Sequence, residues 1–529
     1  MPGVVPSAQG RRRRPGAVGG VVPQTARSRA EDAAGEPGRP SGGAAAGAAV
    51  PPESPAAAQE DGPFTVGQDV EVAIEDVAQG GWCVARPEGL PVMFVRHALP
   101  GERVVARVTE VTSKFARADA VRVLEPSADR VEAPCPNAHP GGCGGCDWQH
   151  ASLTAQRALK AAVITQQLRR LAGIERAVTV EALPGDDQET GTAPGVSAPG
   201  VSAAPETSQA PAVSHPSGIT ATGGAPGLGW RTRVQFAVDS SGVAGLRAHR
   251  SHEVVEIGDC LIAHQAIRDL DITGDSWGGA AAVEAVVGGA DAGENFAMTV
   301  VEDASQQAGG RGSHRGRPAG NRRHQRGGRP ARVKRTLVEG RPYLAERAAG
   351  RLWQVSADGF WQVHPAAADT LSQAVIEALD PVAGDSVLDL YCGAGLFAGA
   401  VAPLVGSDGA VTGIESDPAA VRNARQNLDD FPWASFHEAD VARAVAGDLL
   451  PPFRLVVADP PRTGLAREVV GYLTGDSEAE RFAYVSCDPA TLARDLALLI
   501  AGGWRLDRLR AFDAFPMTHH VECVATLSR

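Results

Sequence analysis

The chain has 529 residues, 43 % of them hydrophobic, enough for two or three domains with real cores. A net charge of −12 argues against a general nucleic-acid binder, and no apolar run is long enough to span a membrane. Eight cysteines in this length do not make a disulfide scaffold, and the N-terminus lacks the apolar stretch of a secretory signal, so the expected compartment is the cytoplasm.

Residues 1–63 are low-complexity Ala, Gly, Pro and Arg and are expected to form a disordered tail. From 64 to 125 short strands follow one another: Val70 to Ile74, Trp82 to Arg86, Val92 to Val95, Glu102 to Val111 and Phe115 to Val123. Turns at Gly80-Gly81 and Pro100-Gly101 separate them, and strands this closely spaced predict a small β-barrel. A central region, 126–350, opens with Cys135, Cys143 and Cys146, then a predicted helix over Ala151 to Ala172 that stops at Gly173. Alternation at Val234, Phe236 and Val238 predicts strands between Trp230 and Ile257. Two low-complexity insertions, about 186–227 and 304–335, interrupt this region. No acid lies between Asp303 and Glu339, where Arg and Lys crowd between Arg311 and Arg335; a codon-biased spacer and a phosphate-binding tract both account for that.

The region 351–529 changes texture. Apolar strands (Ser386 to Leu390, Ala410 to Ile414, Leu455 to Ala458, Phe482 to Val485) alternate with helices (Pro418 to Leu428, Ala490 to Leu499). This predicts an α/β, Rossmann-like domain with a largely parallel sheet, which Trp504 to Phe512 and His520 to Leu527 could close as a hairpin. Asp389-Leu390-Tyr391-Cys392-Gly393-Ala394-Gly395 carries a strand into a Gly-rich turn, which serves nucleotide binding or ordinary αβ packing. Glu415, 20 residues on, is placed to take ribose hydroxyls, and Asp459-Pro460-Pro461-Arg462 makes a stiff loop at the same sheet edge. Cys487, in Val485-Ser486-Cys487-Asp488-Pro489, sits where a thiol can act as a nucleophile, although a single cysteine is more often inert packing. Glu522 can supply a general base or a surface charge.

Together with Phe360-Trp361-Gln362-Val363 and Phe515-Pro516-Met517-Thr518-His519-His520-Val521-Glu522, these segments resemble the RNA uracil-5-methyltransferases, a family that includes bacterial 23S rRNA and tRNA enzymes. The resemblance runs from about 64 to 529 outside the insertions. It implies S-adenosylmethionine as methyl donor, held by Gln362, Tyr391, Glu415, Asp440 and Asp459, with Cys487 as nucleophile and Glu522 as base. This chain departs from the family pattern at Trp361 (often Phe), Leu396 (often Asn, a donor contact) and Asp488 (commonly Asn).

Three thiols in a Gly/Pro-rich loop suggest a metal centre, and both zinc and an iron–sulfur cluster need a fourth ligand, His150 or Cys260. The rRNA branch of the family carries a [4Fe–4S] cluster with a distant fourth cysteine. The resemblance therefore implies Cys135, Cys143, Cys146 and Cys260 as ligands. The 64–125 strands resemble a TRAM domain, an RNA-binding barrel, with Lys114, Phe115 and Arg117 as candidate RNA contacts. The expected activity is methylation of uridine C5 in RNA, 23S rRNA ahead of tRNA. A non-catalytic RNA-binding or assembly factor on the same fold is the alternative of another class.

Overall fold

The computed structural model describes residues 63–186, 225–290, 295–303, 333–447, 450, 452–475 and 477–529. The low-complexity tail, nearly all of the first insertion and 304–332 of the second lie outside them.

Six strands form the N-terminal sheet: β1 (Asp69–Ala73), β2 (Asp76–Ala78), β3 (Trp82–Ala85), β4 (Val92–Arg96), β5 (Arg103–Val111) and β6 (Phe115–Glu125). Their spatial order is β1-β5-β6-β4-β3-β2. Three register shifts between β5 and β6 bend the sheet around a core of Val72, Met93, Val95, Val104 and Ala118. The short β2 escapes sequence reading because three residues carry too little alternation to register. Arg117 lies over the rings of Phe115 and Trp82 and pairs with Glu110, while Lys114 is exposed.

Helix α1 (Leu153–Gln167) follows, capped by Ser152 and extended by a π turn, Leu168–Ala172, that Gly173 ends in the left-handed region. Strand β7 (Val180–Ala182) comes next. A second six-stranded sheet contains β8 (Arg233–Val238), β9 (Ala244–Arg247), β10 (Val254–Glu256), β11 (Ala282–Val287), β12 (Phe296–Asp303) and β13 (Val333–Gly340), with the one-turn helix α2 (Gln265–Arg268) beside it. The end of the basic insertion is corrected here: Lys334 and Arg335 belong to β13 and pair with Glu302 and Glu284. Strands β14 (Tyr343–Ala348) and β15 (Arg351–Ser356) make a separate hairpin.

The C-terminal layers are α3 (Ala367–Leu379), β16 (Ser386–Leu390), α4 (Leu396–Val405), β17 (Ala410–Glu415), α5 (Pro418–Asn427), β18 (Ala434–Glu438), α6 (Val441–Ala446), β19 (Leu455–Ala458), α7 (Arg467–Thr474), β20 (Arg481–Ser486), α8 (Pro489–Ala501), β21 (Arg505–Asp513) and β22 (Glu522–Ser528). They build an eight-stranded sheet of order β18-β17-β16-β19-β20-β22-β21-β7. Strands β16 to β20 are parallel, as expected for near-continuous apolar runs covered on both faces. The C-terminal hairpin joins antiparallel through β22 on β20.

The expected boundary at 351 does not hold for every element. Strand β7 extends this sheet beside β21, and Ile164, Leu168 and Val180 share a core with Val456, Phe482 and Leu527. Residues 153–182 therefore fold into the α/β layers, not into a separate central domain. A buried ion pair, Lys160 Nζ to Asp513, anchors α1 to β21, and Lys160 also donates to the Phe515 carbonyl at 3.0 Å. Burial pushes the Lys160 pKa down and Asp513 opposes that. Losing one partner of such a pair costs about 3–5 kcal/mol.

Candidate active site

Parallel strands with right-handed helical connections deliver every loop after a strand to the same edge. Across β18, β17, β16, β19 and β20, that edge carries Asp440, Glu415, Tyr391, Asp459 and Cys487, in that order. Adjacent strands lie about 4.8 Å apart, so residues far apart in sequence form one row. Glu522 adds to it from the neighbouring antiparallel strand. Ser486 pairs with Cys523 between β20 and β22, so the next residues outward, Cys487 and Glu522, face one another.

The Gly-rich turn is built by left-handed backbone at Tyr391 (φ 64°), Gly393 (φ 55°) and Gly395 (φ 92°). A Cβ at Gly395 would come within 2.8 Å of Leu428 Cδ1, so glycine serves both the turn and the seating of α4. Asp389, fully buried, accepts from Ala398 N at 2.9 Å at the start of α4. Burial raises its pKa to about 8, with Asp459 and Glu415 adding to the rise. Glu415 accepts from Gly393 N at 3.2 Å and from Ser416 N and Asp417 N at 2.6 and 2.8 Å, so it ties the turn to the next strand end. Asp440 caps α6 by accepting from Arg443 N at 3.0 Å, and its charge is felt by the Tyr391 phenol. Gln362 is buried between Trp361, whose ring packs 5.7 Å from Trp353, and Val363, whose carbonyl accepts from Thr232.

Cys487 lies between β20 and α8, followed by Asp488 as N-cap and Pro489 as the first helical residue. Burial lifts the thiol pKa to about 12; Glu522 and Asp459 add to it, and Arg462 opposes. Burial also raises Asp459 to about 7. Glu522 is 6 % exposed and held well above the usual carboxylate range, by burial first and Asp459 second, again against Arg462. Three acids crowd one cation, which biases the site toward neutral, proton-loaded groups. The rival thiols are packing: Cys392 and Cys523 are buried in the two cores of the α/β layers.

The loop 515–522 is held by residues the motif reading passed over. Gln156 accepts from Met517 N at 2.7 Å, and the Met517 carbonyl accepts from Asp147 N at 2.9 Å and Trp148 N at 3.1 Å. Asp147 Oδ2 lies 2.6 Å from His519 Nδ1, and Arg96 of β4 lies 3.7 Å from Asp147 Oδ1. Lys160 carried a signal, as one of three lysines against many arginines on the apolar face of a predicted helix. Asp147 carried none beyond following Cys146. Gln79, Gly80, Trp148, Arg462 and His519 line a cavity that Cys487 opens onto.

Cys146 and Cys260 pack against Trp230 and Met517, and Cys143 and Cys260 pack against the Phe236 core. Gly144 lies flat against β9, donating to the Arg247 carbonyl at 2.9 Å, and a Cβ there would come within 2.6 Å of His249 backbone. The thiols of Cys143 and Cys260 both push up that of Cys146, and Cys135 pushes up Cys143, after burial in each case. Gln149 accepts from Cys135 N at 3.0 Å and hydrogen-bonds Cys146. His150 instead points to the Ala98 carbonyl, 3.4 Å away, beside His97 in the barrel. Among the described residues no group of three or more His, Cys, Asp or Glu side chains is placed to hold a metal ion.

A family model described as tRNA (Uracil-5-)-methyltransferase matches residues 332–529, and a TRAM domain model matches 63–121. The chain is 47 % identical over 472 residues to an uncharacterized RNA methyltransferase of Streptomyces coelicolor, covering 87 % of this chain and 93 % of that one. It is 45 % identical over 477 residues to another from Streptomyces avermitilis, covering 87 % and 98 %. The crystal structure of Pyrococcus abyssi tRNA (uracil-54, C5)-methyltransferase in complex with S-adenosyl-L-homocysteine is similar with a TM-score of 0.56 at 22 % identity, covering 87 % of this chain and all of that one. At that identity the similarity speaks for the fold.

Proposed function

Because the chain belongs to the RNA (uracil-5-)-methyltransferase family and carries a TRAM domain, we propose that it methylates C5 of a uridine in 23S rRNA through a covalent adduct on Cys487. The observation that carries this reading is the facing pair Cys487 and Glu522 at the end of the strand-edge row.

S-adenosylmethionine supplies an electrophilic methyl group on a sulfonium centre. Gln362, Tyr391, Glu415, Asp440 and Asp459 would hold it, the last four from the ends of four adjacent strands. Uracil C5 is too weak a nucleophile to take the methyl unaided. The Cys487 thiolate adds to C6, and the electron pair moves to C5 and O4 as an enolate. C5 would take the methyl group as its bond to the donor sulfur breaks, the sulfur keeping the electron pair as a neutral thioether. Glu522 removes the C5 proton, the C5–C6 double bond returns, and the thiolate leaves. The base has to leave its stack to reach the cavity beside Cys487.

Cys135, Cys143, Cys146 and Cys260 would be the ligands of a four-thiolate centre, the reading we carry from the resemblance. Cys146 and Cys260 pack near Met517, Cys143 and Cys260 pack against the Phe236 core, and Cys143 raises the thiol of Cys146 and is itself raised by Cys135. An iron–sulfur cluster, larger than one ion, holds its four thiolates farther apart than a tetrahedral zinc site with Zn–S of about 2.3 Å. Its part is to brace the loop that reaches His519, since methyl transfer moves no electrons between centres. Protein purified without oxygen is expected to be brown and to hold iron, and Cys260→Ser to lose both; a colourless, zinc-loaded protein would refute the cluster.

The rRNA preference rests on the barrel and cysteine loop together. The archaeal neighbour acts on tRNA, so tRNA is the second reading. Mapping 5-methyluridine in RNA from a deletion strain decides: loss in 23S rRNA is expected, and loss confined to tRNA would overturn the substrate choice. The compartment we propose is the cytoplasm, where a 23S rRNA substrate would be met.

A further inference from the structure

Gln79 stands in the turn between β2 and β3, 409 residues before Asp488, yet its Nε2 donates to Asp488 Oδ2 at 2.7 Å. The other carboxylate oxygen, Oδ1, accepts from Ala490 N at 3.0 Å and Thr491 N at 2.8 Å. One oxygen thus fastens the Cys487 loop to α8, and the other fastens it to the barrel. The turn is itself held. Gln166 of α1 donates to Asp76 at 3.3 Å, and Val77 packs with Trp148, Leu159 and Val163. Gln79 and Gly80 line the cavity onto which Cys487 opens. The Asp488 side chain has no N–H to offer, so an amide donor at position 79 suits the carboxylate.

We propose that Gln79 is a positioning residue for methyl transfer: the β2–β3 turn closes one wall of the nucleotide cavity and sets the direction of the Cys487 thiol through Asp488. The barrel is then part of the catalytic unit, beyond any affinity it adds for RNA. This rests on Cys487 being the nucleophile. Misplacement of a reacting atom by a fraction of an ångström lowers the rate of the chemical step and leaves binding largely intact.

The test uses the full chain with a uridine-containing rRNA fragment and methyl donor. Gln79→Glu sets two carboxylates against each other, and kcat is expected to fall about 10- to 100-fold, the value of a hydrogen bond to a charged group, with KM for RNA within about threefold. Asp488→Asn is measured alone so that its own effect on kcat is separated from the coupling between positions 79 and 488. In the double variant Gln79→Glu, Asp488→Asn, the amide introduced on the loop donates to the carboxylate introduced on the turn, and kcat is expected to recover. Wild-type turnover in Gln79→Glu, a loss confined to KM, or a loss that Asp488→Asn does not rescue would overturn the inference. Wild type is also incubated with the 5-fluorouridine form of the RNA, whose C5 fluorine cannot leave as a proton, so a covalent complex is expected. Its absence would overturn the Cys487 reading itself, a result distinct from failure of the Gln79 rescue.

Discussion

Cys487→Ala is expected to lower methyl incorporation into RNA by roughly 10⁴-fold or more, the scale on which removal of a covalent nucleophile acts. It should also abolish the covalent complex with 5-fluorouridine RNA on a denaturing gel. No other thiol can substitute. Cys392 and Cys523 are buried in the cores on either side of the sheet, and the remaining cysteines of the site region belong to the loop junction near Met517. The variant should keep its melting temperature, because Cys487 is a partly exposed loop residue whose truncation opens no core cavity. The pH dependence has a defined sign. With the thiol held near 12, its anion is scarce at neutral pH, so the rate of adduct formation should climb as pH rises above neutrality. Unchanged incorporation in Cys487→Ala would remove the covalent mechanism altogether.

Glu522→Gln is expected to fail at a different step. A glutamine cannot take the C5 proton, so addition and methyl transfer proceed and elimination stalls. Released 5-methyluridine should fall by about 10²- to 10⁴-fold, the usual worth of a positioned general base. A methylated RNA–protein complex, stable on a denaturing gel and dependent on Cys487, should build up meanwhile. The argument is environmental. Glu522 is almost fully buried, its pKa is driven up by desolvation and by Asp459, and a carboxylate so placed is a stronger base than one in water. Isostructural amide replacement leaves the strand pairing of β22 intact. If Glu522→Gln turned over at the wild-type rate with no trapped complex, the glutamate would be an ordinary buried acid and another base would be needed.

Much of this was legible in the sequence because it is local. Strand periodicity located four of the five parallel strands within a residue or two, for instance Leu455–Ala458 and Ser386–Leu390, and passed over β18, where only Phe436 is buried. Pro489 after Asp488, and Gly393 and Gly395 after Leu390, marked helix starts and turns through backbone chemistry that any context preserves. The candidate nucleophile and base were readable from their motifs. The helix begun near Ala151 was read in place, but not the sheet it would join. Burial of Ile164 and Leu168 depends on which apolar face meets which, and many partners satisfy one amphipathic stripe.

The sequence by itself determined the α/β alternation, the strand-rich N-terminal region, the Gly-rich turn, and the presence of Cys487, Glu522 and a cysteine-rich loop. Only the tertiary structure decided the order of strands, which lines up Asp440, Glu415, Tyr391, Asp459 and Cys487 along one edge and sets Glu522 opposite the thiol. It packed Cys260 beside Cys146, turned His150 away toward Ala98, and joined Gln79 to Asp488. The physical reason is range. Hydrogen-bonding and rotamer preferences act over a few residues and are written into neighbouring letters. Strand order and long-range contacts follow from the packing of whole apolar faces, to which no single position testifies.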